Sequence, residues 1–170
     1  MTTVVFSHGQ ESGPWGTKIR AMAELVRRKG LNAESIDYQG IADPTARVEK
    51  LVAEAAAIDD TLVLVGSSMG GHVATAAAAR LQAAGLFVLA PAYYMQGFEA
   101  LTPDPPGIPM CIVHGWHDDI VPLENSIRYA RRCAATLHIV DGGHRLGENI
   151  EDIKRQLAGY IDQLGLEGKA

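Results

Sequence analysis

The 170-residue sequence predicts an α/β protein in three layers, with about six mostly parallel strands and helices on both faces. Three observations predict it. Short apolar runs alternate with helix-length amphipathic stretches along the whole chain. Most of the runs are Val, Ile and Leu without polar alternation, the pattern of strands buried on both faces of a parallel sheet. A glycine-flanked serine, Gly66-Ser67-Ser68-Met69-Gly70, stands between one such run and the helix that follows.

The strands fall at 3–6, 32–37, 61–65, 85–89, 110–114 and 136–140. Three of the intervening helices carry apolar stripes at the 3.6-residue period. Helix 18–29 presents Ile19, Met22, Ala23 and Val26. Helix 45–58 presents Val48, Leu51, Val52 and Ala55. Helix 148–164 presents Ile150, Ile153, Leu157, Tyr160, Ile161 and Leu164. Helix 70–84 is alanine on nearly every side, suited to close packing against a sheet. Helix 123–134 has a weaker stripe and opens after Pro122. Right-handed crossovers then wind the sheet in both directions. Segment 91–109 breaks the rhythm with prolines and the aromatic residues Tyr93, Tyr94 and Phe98. It reads as a long loop over the sheet's edge. The end of the chain, 165–170, is expected to fray.

The chain is one domain, residues 1–170, long enough for a sizeable core; 47% of it is apolar and 21% charged. A net charge of −5 argues against nucleic acid or an anionic membrane as partner. No apolar run reaches the ~20 residues of a membrane span, and residues 4–6 read as core strand rather than a leader. Cys111 and Cys133 form neither a disulfide framework nor a metal-ligand spacing. The expectation is a cytoplasmic protein with reduced thiols, without metal or organic cofactor.

Ser68 is the candidate nucleophile. In G-x-S-x-G the turn is so tight that bulky neighbours would clash, so glycine stands two residues to either side. The turn lifts the hydroxyl out of the sheet. The helix start behind it offers N–H groups and a favourable dipole to an oxyanion. Ser67 is the competitor, but its flanking residues Val65 and Met69 put the elbow one register off. The bland reading is a glycine-rich turn with two ordinary serines.

With this elbow in its strand-to-helix setting, the sequence resembles the α/β-hydrolase superfamily, and within it the small serine esterases without a cap domain. The resemblance covers nearly the whole chain and implies a triad in the order serine, acid, histidine. His114-Gly115-Trp116-His117-Asp118-Asp119-Ile120-Val121-Pro122 is similar to the family's acid loop, which makes Asp118 the acid and Asp119 a helix-capping competitor. Gly142-Gly143-His144 is similar to the terminal histidine loop, which makes His144 the base. His8, His72, His114, His117 and His138 are then packing, bracing or lining residues. The loop after the first strand, Ser7-His8-Gly9-Gln10, implies backbone oxyanion donors at Gln10 and Met69. A phosphate-binding loop is the alternative reading there, but the stretch matches no Walker pattern and lacks its spacing.

The resemblance implies a serine hydrolase that cleaves carboxylic esters through an acyl-enzyme. A small-molecule ester would be bound in an open site lined by Tyr93, Tyr94, Met95, Phe98 and Trp116. Thioester or peptide substrates, or a non-catalytic binding protein on the same scaffold, are the alternatives. The sheet edge beside the second strand is expected to be exposed, with the protein a monomer or a homodimer.

Overall fold

The computed structural model describes residues 1–166; of the stretch 165–170 expected to fray, residues 167–170 lie outside the described residues. Six strands form one fully parallel sheet: β1 (Thr2–Ser7), β2 (Asn32–Ile36), β3 (Thr61–Ser67), β4 (Gly85–Leu89), β5 (Met110–Gly115) and β6 (Thr136–Val140). Their order is β2-β1-β3-β4-β5-β6, so the chain winds outward in both directions from β1 and β3. Each strand lies within two residues of its predicted bounds. The helices are α1 (Thr17–Arg28), α2 (Pro44–Ala55), α3 (Met69–Ala78), α4 (Leu123–Cys133) and α5 (Ile150–Leu164).

Alternate residues of each strand serve opposite layers. Val4, Phe6, Val63, Val65, Phe87 and Leu89 pack beneath α1 and α5, against Met22, Val26, Leu157 and Ile161. Val5, Leu62, Leu64, Leu86, Val88 and Ile112 pack beneath α2, α3 and α4, against Leu51, Ala74, Ala77 and Tyr129. The continuous apolar runs of the sequence follow from this two-sided burial.

Two expectations change. Helix α3 stops at Ala78 rather than residue 84. Gln82 turns back with φ 50°, and the Ala83 N–H donates to the Ala78 carbonyl, returning the chain to β4. Segment 91–109 does not cross a sheet edge. It joins the neighbouring strands β4 and β5, holds only a short 3-10 turn at Glu99–Leu101, and packs between α3 and α4. Tyr93 fixes it there. The Tyr93 ring stacks on Tyr129, its hydroxyl pairs with Thr75, and the Asn125 amide donates to its carbonyl. Apolar and aromatic packing thus replaces a crossover helix.

The sheet ends at β2 on one side and β6 on the other. No helix among the described residues is long and apolar enough to cross a membrane. Cys111 is buried and its thiol is pushed up to about 12 by desolvation; Cys133 is half-buried on α4.

Candidate active site

Four loops meet at the carboxyl ends of the strands. The first is the elbow between β3 and α3. Ser68 holds φ 55° and ψ −118°, a conformation that costs a non-glycine residue about 1–3 kcal/mol. The surroundings enforce it. The Ser68 N–H donates to the Leu89 carbonyl, and the Ser68 carbonyl accepts from the N–H groups of Gly71, His72 and Ala92. Glycine is required on both sides by close approach. A Cβ on Gly66 would sit 2.1 Å from the Gly70 carbonyl oxygen, and one on Gly70 would sit 2.0 Å from that of Ser7.

The second loop follows β6 and carries His144. Its Nε2 lies 3.0 Å from Ser68 Oγ and its Nδ1 lies 2.8 Å from Asp118 Oδ2. Because Nδ1 faces a carboxylate, it carries the proton. Nε2 is then the bare nitrogen, aimed to accept the serine hydroxyl proton.

The third loop follows β5. The Asp118 side chain is fully buried. Oδ1 accepts from the backbone N–H groups of Ile120 and Val121, and Oδ2 faces both His144 and His114. Asp119, the competitor, is exposed on the outer side of this turn. Ser67, the other candidate nucleophile, accepts from Lys18 Nζ at 3.2 Å. Burial, reinforced by the positive charge of Arg145, brings the Lys18 ammonium down to about 8 from its ordinary 10.5; Asp118 acts in the opposite direction.

The loop after β1 completes the site. A Cβ on Gly9 would meet Ser68 Cβ and the Ser67 carbonyl oxygen, each at 3.6 Å, so this backbone lies directly against the nucleophile turn. Among the described residues no protein acceptor takes the N–H of Gln10 or of Met69. His8 braces the loop from within. Its Nε2 accepts from the Tyr38 N–H, so its proton is on Nδ1, which donates to the Gly9 carbonyl. Burial lowers the His8 pKa, and the 3.8 Å approach of Asp37 is therefore contact with a neutral ring rather than an ion pair.

The sequence matches the α/β hydrolase family over residues 4–138. The chain belongs to that family. The matched span holds Ser68 and Asp118 and ends before His144. Among solved structures, a Xanthomonas campestris pv. campestris protein assigned to the hydrolases of the α/β superfamily is 31% identical. Its TM-score is 0.86, over 95% of this chain and 98% of its own. Est1E from Butyrivibrio proteoclasticus is 18% identical, with a TM-score of 0.81 over 96% of this chain and 87% of its own. A Pyrococcus furiosus esterase is 15% identical, with a TM-score of 0.79 over 96% of this chain and 82% of its own. At those two identities the likeness is one of fold. No curated protein matches the chain significantly.

The aromatic residues expected to line the site of this α/β hydrolase are divided by the fold. Tyr93 is fully buried between α3 and α4 and offers no surface to a ligand, which removes it from the lining. Tyr94 is committed to α4, where Arg128 lies over its ring at 3.9 Å and Arg132 donates to its hydroxyl. Met95 is half-buried, whereas Phe98 and Trp116 are exposed. His117 pairs with Asp141 at the surface, His138 lies on edge strand β6, and His72 is on α3. Two concavities, one along the β2 edge and one between β6 and α5, do not include any of Ser68, Asp118 or His144.

Sequence reasoning missed two residues, Arg47 and Lys18. Arg47 is fully buried and donates to the loop after β1. Its signal was available: it shares the stripe of Leu51 and Ala55 at four-residue spacing. His114, expected to brace its loop, does so through the Val121 carbonyl and contacts Asp118, four residues on. Lys18 carries no distinguishing sequence signal.

Proposed function

We propose that this α/β hydrolase is a serine hydrolase that cleaves carboxylic esters of small or accessible substrates through an acyl-enzyme. The observation that carries the reading is the continuous line Ser68 Oγ, His144 Nε2, His144 Nδ1, Asp118 Oδ2, with 3.0 and 2.8 Å steps. A strained elbow at its head supports the same reading.

His144 Nε2 takes the Ser68 proton as Oγ bonds to the ester carbonyl carbon. The carbonyl electron pair moves to oxygen, which rests on the N–H groups of Gln10 and Met69. Asp118 holds the imidazolium that forms. Collapse breaks the ester C–O bond, and the alkoxide leaves with the proton from His144. Water then gives a proton to His144 and attacks the acyl carbon; the acyl C–Oγ bond breaks, His144 returns the proton to Oγ, and the acid leaves. The half-exposed loops, with Phe98 and Trp116 exposed on them, favour short acyl chains or accessible bulky esters over long lipid tails. Est1E, whose structure has been determined with ferulic acid bound, makes aromatic acid esters a sensible part of the panel.

The test is labelling with a fluorophosphonate, comparing the native protein with Ser68→Ala and locating the adduct by mass spectrometry. Rapid labelling on Ser68, abolished in the variant, is expected, with turnover of p-nitrophenyl acetate exceeding that of long-chain esters. A folded protein that does not label overturns the serine-hydrolase reading. Labelling with turnover confined to thioesters or amides overturns the ester assignment.

A further inference from the structure

We infer that Arg47 is a positioning residue for the oxyanion hole, its guanidinium gathering the carbonyls of the loop after β1 and thereby aiming the Gln10 N–H at the reacting oxygen. This inference rests on the proposed role of Gln10.

Arg47 is 1% exposed, yet among the described residues no carboxylate pairs with it. It is instead surrounded by backbone oxygens. Nε donates to the Ile41 carbonyl at 2.7 Å. Nη1 donates to the carbonyls of His8 and Gly9 at 3.3 and 3.2 Å, and Nη2 reaches that of Gln10 at 3.5 Å. The guanidinium also lies against the Tyr38 ring, 5.4 Å from its centre. A buried charge is costly unless its donors are satisfied. Here they are met by the Ile41 carbonyl and by three consecutive carbonyls of the loop after β1.

The consequence follows from peptide geometry. In a trans peptide the C=O of one residue and the N–H of the next point in opposite directions. Every peptide bond among the described residues is trans. The Gly9 carbonyl faces Arg47, so the Gln10 N–H faces away from it, as does the Gly9 N–H opposite the His8 carbonyl. Successive N–H groups turned away from one cation form an anion-accepting concavity. The same Gly9 carbonyl also accepts from His8 Nδ1 at 2.7 Å. A carbonyl drawn on by a cation and an imidazole N–H polarises its peptide, which makes the Gln10 N–H a stronger donor. Lysine would bring the charge but not the planar fork that serves several carbonyls together.

Arg47→Lys and Arg47→Gln, each checked for folding by thermal unfolding, test the inference through kcat, KM and the rate ratio of an ester to its thionoester. The thiono sulfur is a poor guest for an oxyanion hole, so the ratio reports that hole and not general integrity. The expected result is kcat lowered about 100-fold, the effect of losing one donor, with little change in KM and a reduced ester to thionoester ratio. Arg47→Gln should be partly rescued by added guanidinium. An unchanged kcat, or a fall in kcat at constant ratio, overturns the inference. Should neither variant fold, amide NMR of the native phosphonate adduct decides. A Gln10 amide proton that moves downfield with that of Met69 supports the inference, and a Gln10 proton that stays put while Met69 moves overturns it. Failure of the native protein to label on Ser68 would instead remove the catalytic reading itself.

Discussion

His114 Nε2 lies 3.0 Å from Asp118 Oδ2, and neither side chain has any exposed surface. The same nitrogen is 2.9 Å from the Val121 carbonyl, and Nδ1 is 2.7 Å from Ser126 Oγ. Both neighbours of Nε2 are acceptors, so that nitrogen holds the proton, and the Ser126 hydroxyl donates to Nδ1. His114 therefore ties strand β5 to helix α4 and to the carboxylate that orients His144.

Replacing His114 with Phe keeps an aromatic ring, adds a little volume and removes all three contacts. It leaves the Val121 carbonyl, the Ser126 hydroxyl and one side of Asp118 without donor or acceptor. Buried groups left unpaired cost about 1–3 kcal/mol each. We expect a stability loss of about 3 kcal/mol, or roughly 6–12 °C in Tm for a chain of this size. Asp118 keeps the N–H groups of Ile120 and Val121 and its bond to His144. Ester turnover should therefore fall only about tenfold, far less than the ~10⁴ expected when the acid itself loses its charge. Calorimetry and steady-state kinetics on one preparation check both numbers.

Lys18 gives a pH dependence of known sign. Its folded pKa is about 8, against an ordinary 10.5. Between those values the unfolded chain holds a proton that the folded chain has released, so this residue makes stability rise with pH through that window. Below about pH 8 its full cost is present, at most about 3 kcal/mol and less after screening of the exposed Arg145. Lys18→Met should thus be the more stable protein at pH 7, by about 1–2 kcal/mol. Its advantage should shrink to nothing as the pH approaches 10.5. Urea unfolding at pH 7, 8.5 and 10 measures this; a variant less stable at pH 7 would mean that the bond to Ser67 outweighs burial of the charge.

The sheet was legible because burial on both faces writes itself into the sequence as runs such as Leu62–Val65, bounded by helices with clear stripes. Ser68 was legible through the glycines of its tight turn, and Asp118 and His144 through the likeness of their loops to the family's acid and histidine loops; the fold brings the three side chains within hydrogen-bond distance. Tyr93 was misplaced for a physical reason. An aromatic residue in a loop has no periodicity to say whether it faces water or the core, and a missing crossover helix left a hollow between α3 and α4 for it to fill. Arg47 was overlooked because a charge on a helix usually marks the solvated face. Its partners are backbone carbonyls thirty-seven to thirty-nine residues away, which leave no side-chain signature.

The close approach of α3 to β1 makes Gly70 irreplaceable. An added Cβ would lie 2.0 Å from the Ser7 carbonyl oxygen and 2.6 Å from that of His8. Both are backbone atoms on the strand that leads into the loop against Ser68, and neither can rotate aside. Gly70→Ala should cost at least about 3 kcal/mol, at the upper end of overpacking substitutions. Turnover should fall as well, because the loop after β1 must move. Gly147→Ala is the control: no heavy atom lies within 4 Å of its added Cβ, and its unfolding midpoint should stay within about 0.5 kcal/mol of the native protein.

The strain at Ser68 can be separated from its chemistry. Ser68→Ala removes the hydroxyl and keeps a Cβ at φ 55°, ψ −118°; Ser68→Gly removes both. Glycine adopts positive φ without steric penalty but gains freedom in the unfolded chain, worth roughly 0.5–1 kcal/mol against it. Relief of about 1–3 kcal/mol of backbone strain outweighs that. Both variants should be inactive toward esters and unreactive toward fluorophosphonate, yet Ser68→Gly should unfold about 1 kcal/mol later than Ser68→Ala. Equal stabilities would mean that the hydrogen bonds around the Ser68 peptide hold the turn at no cost. A more stable glycine variant would show that the elbow is a conformation maintained for its function at the expense of the fold.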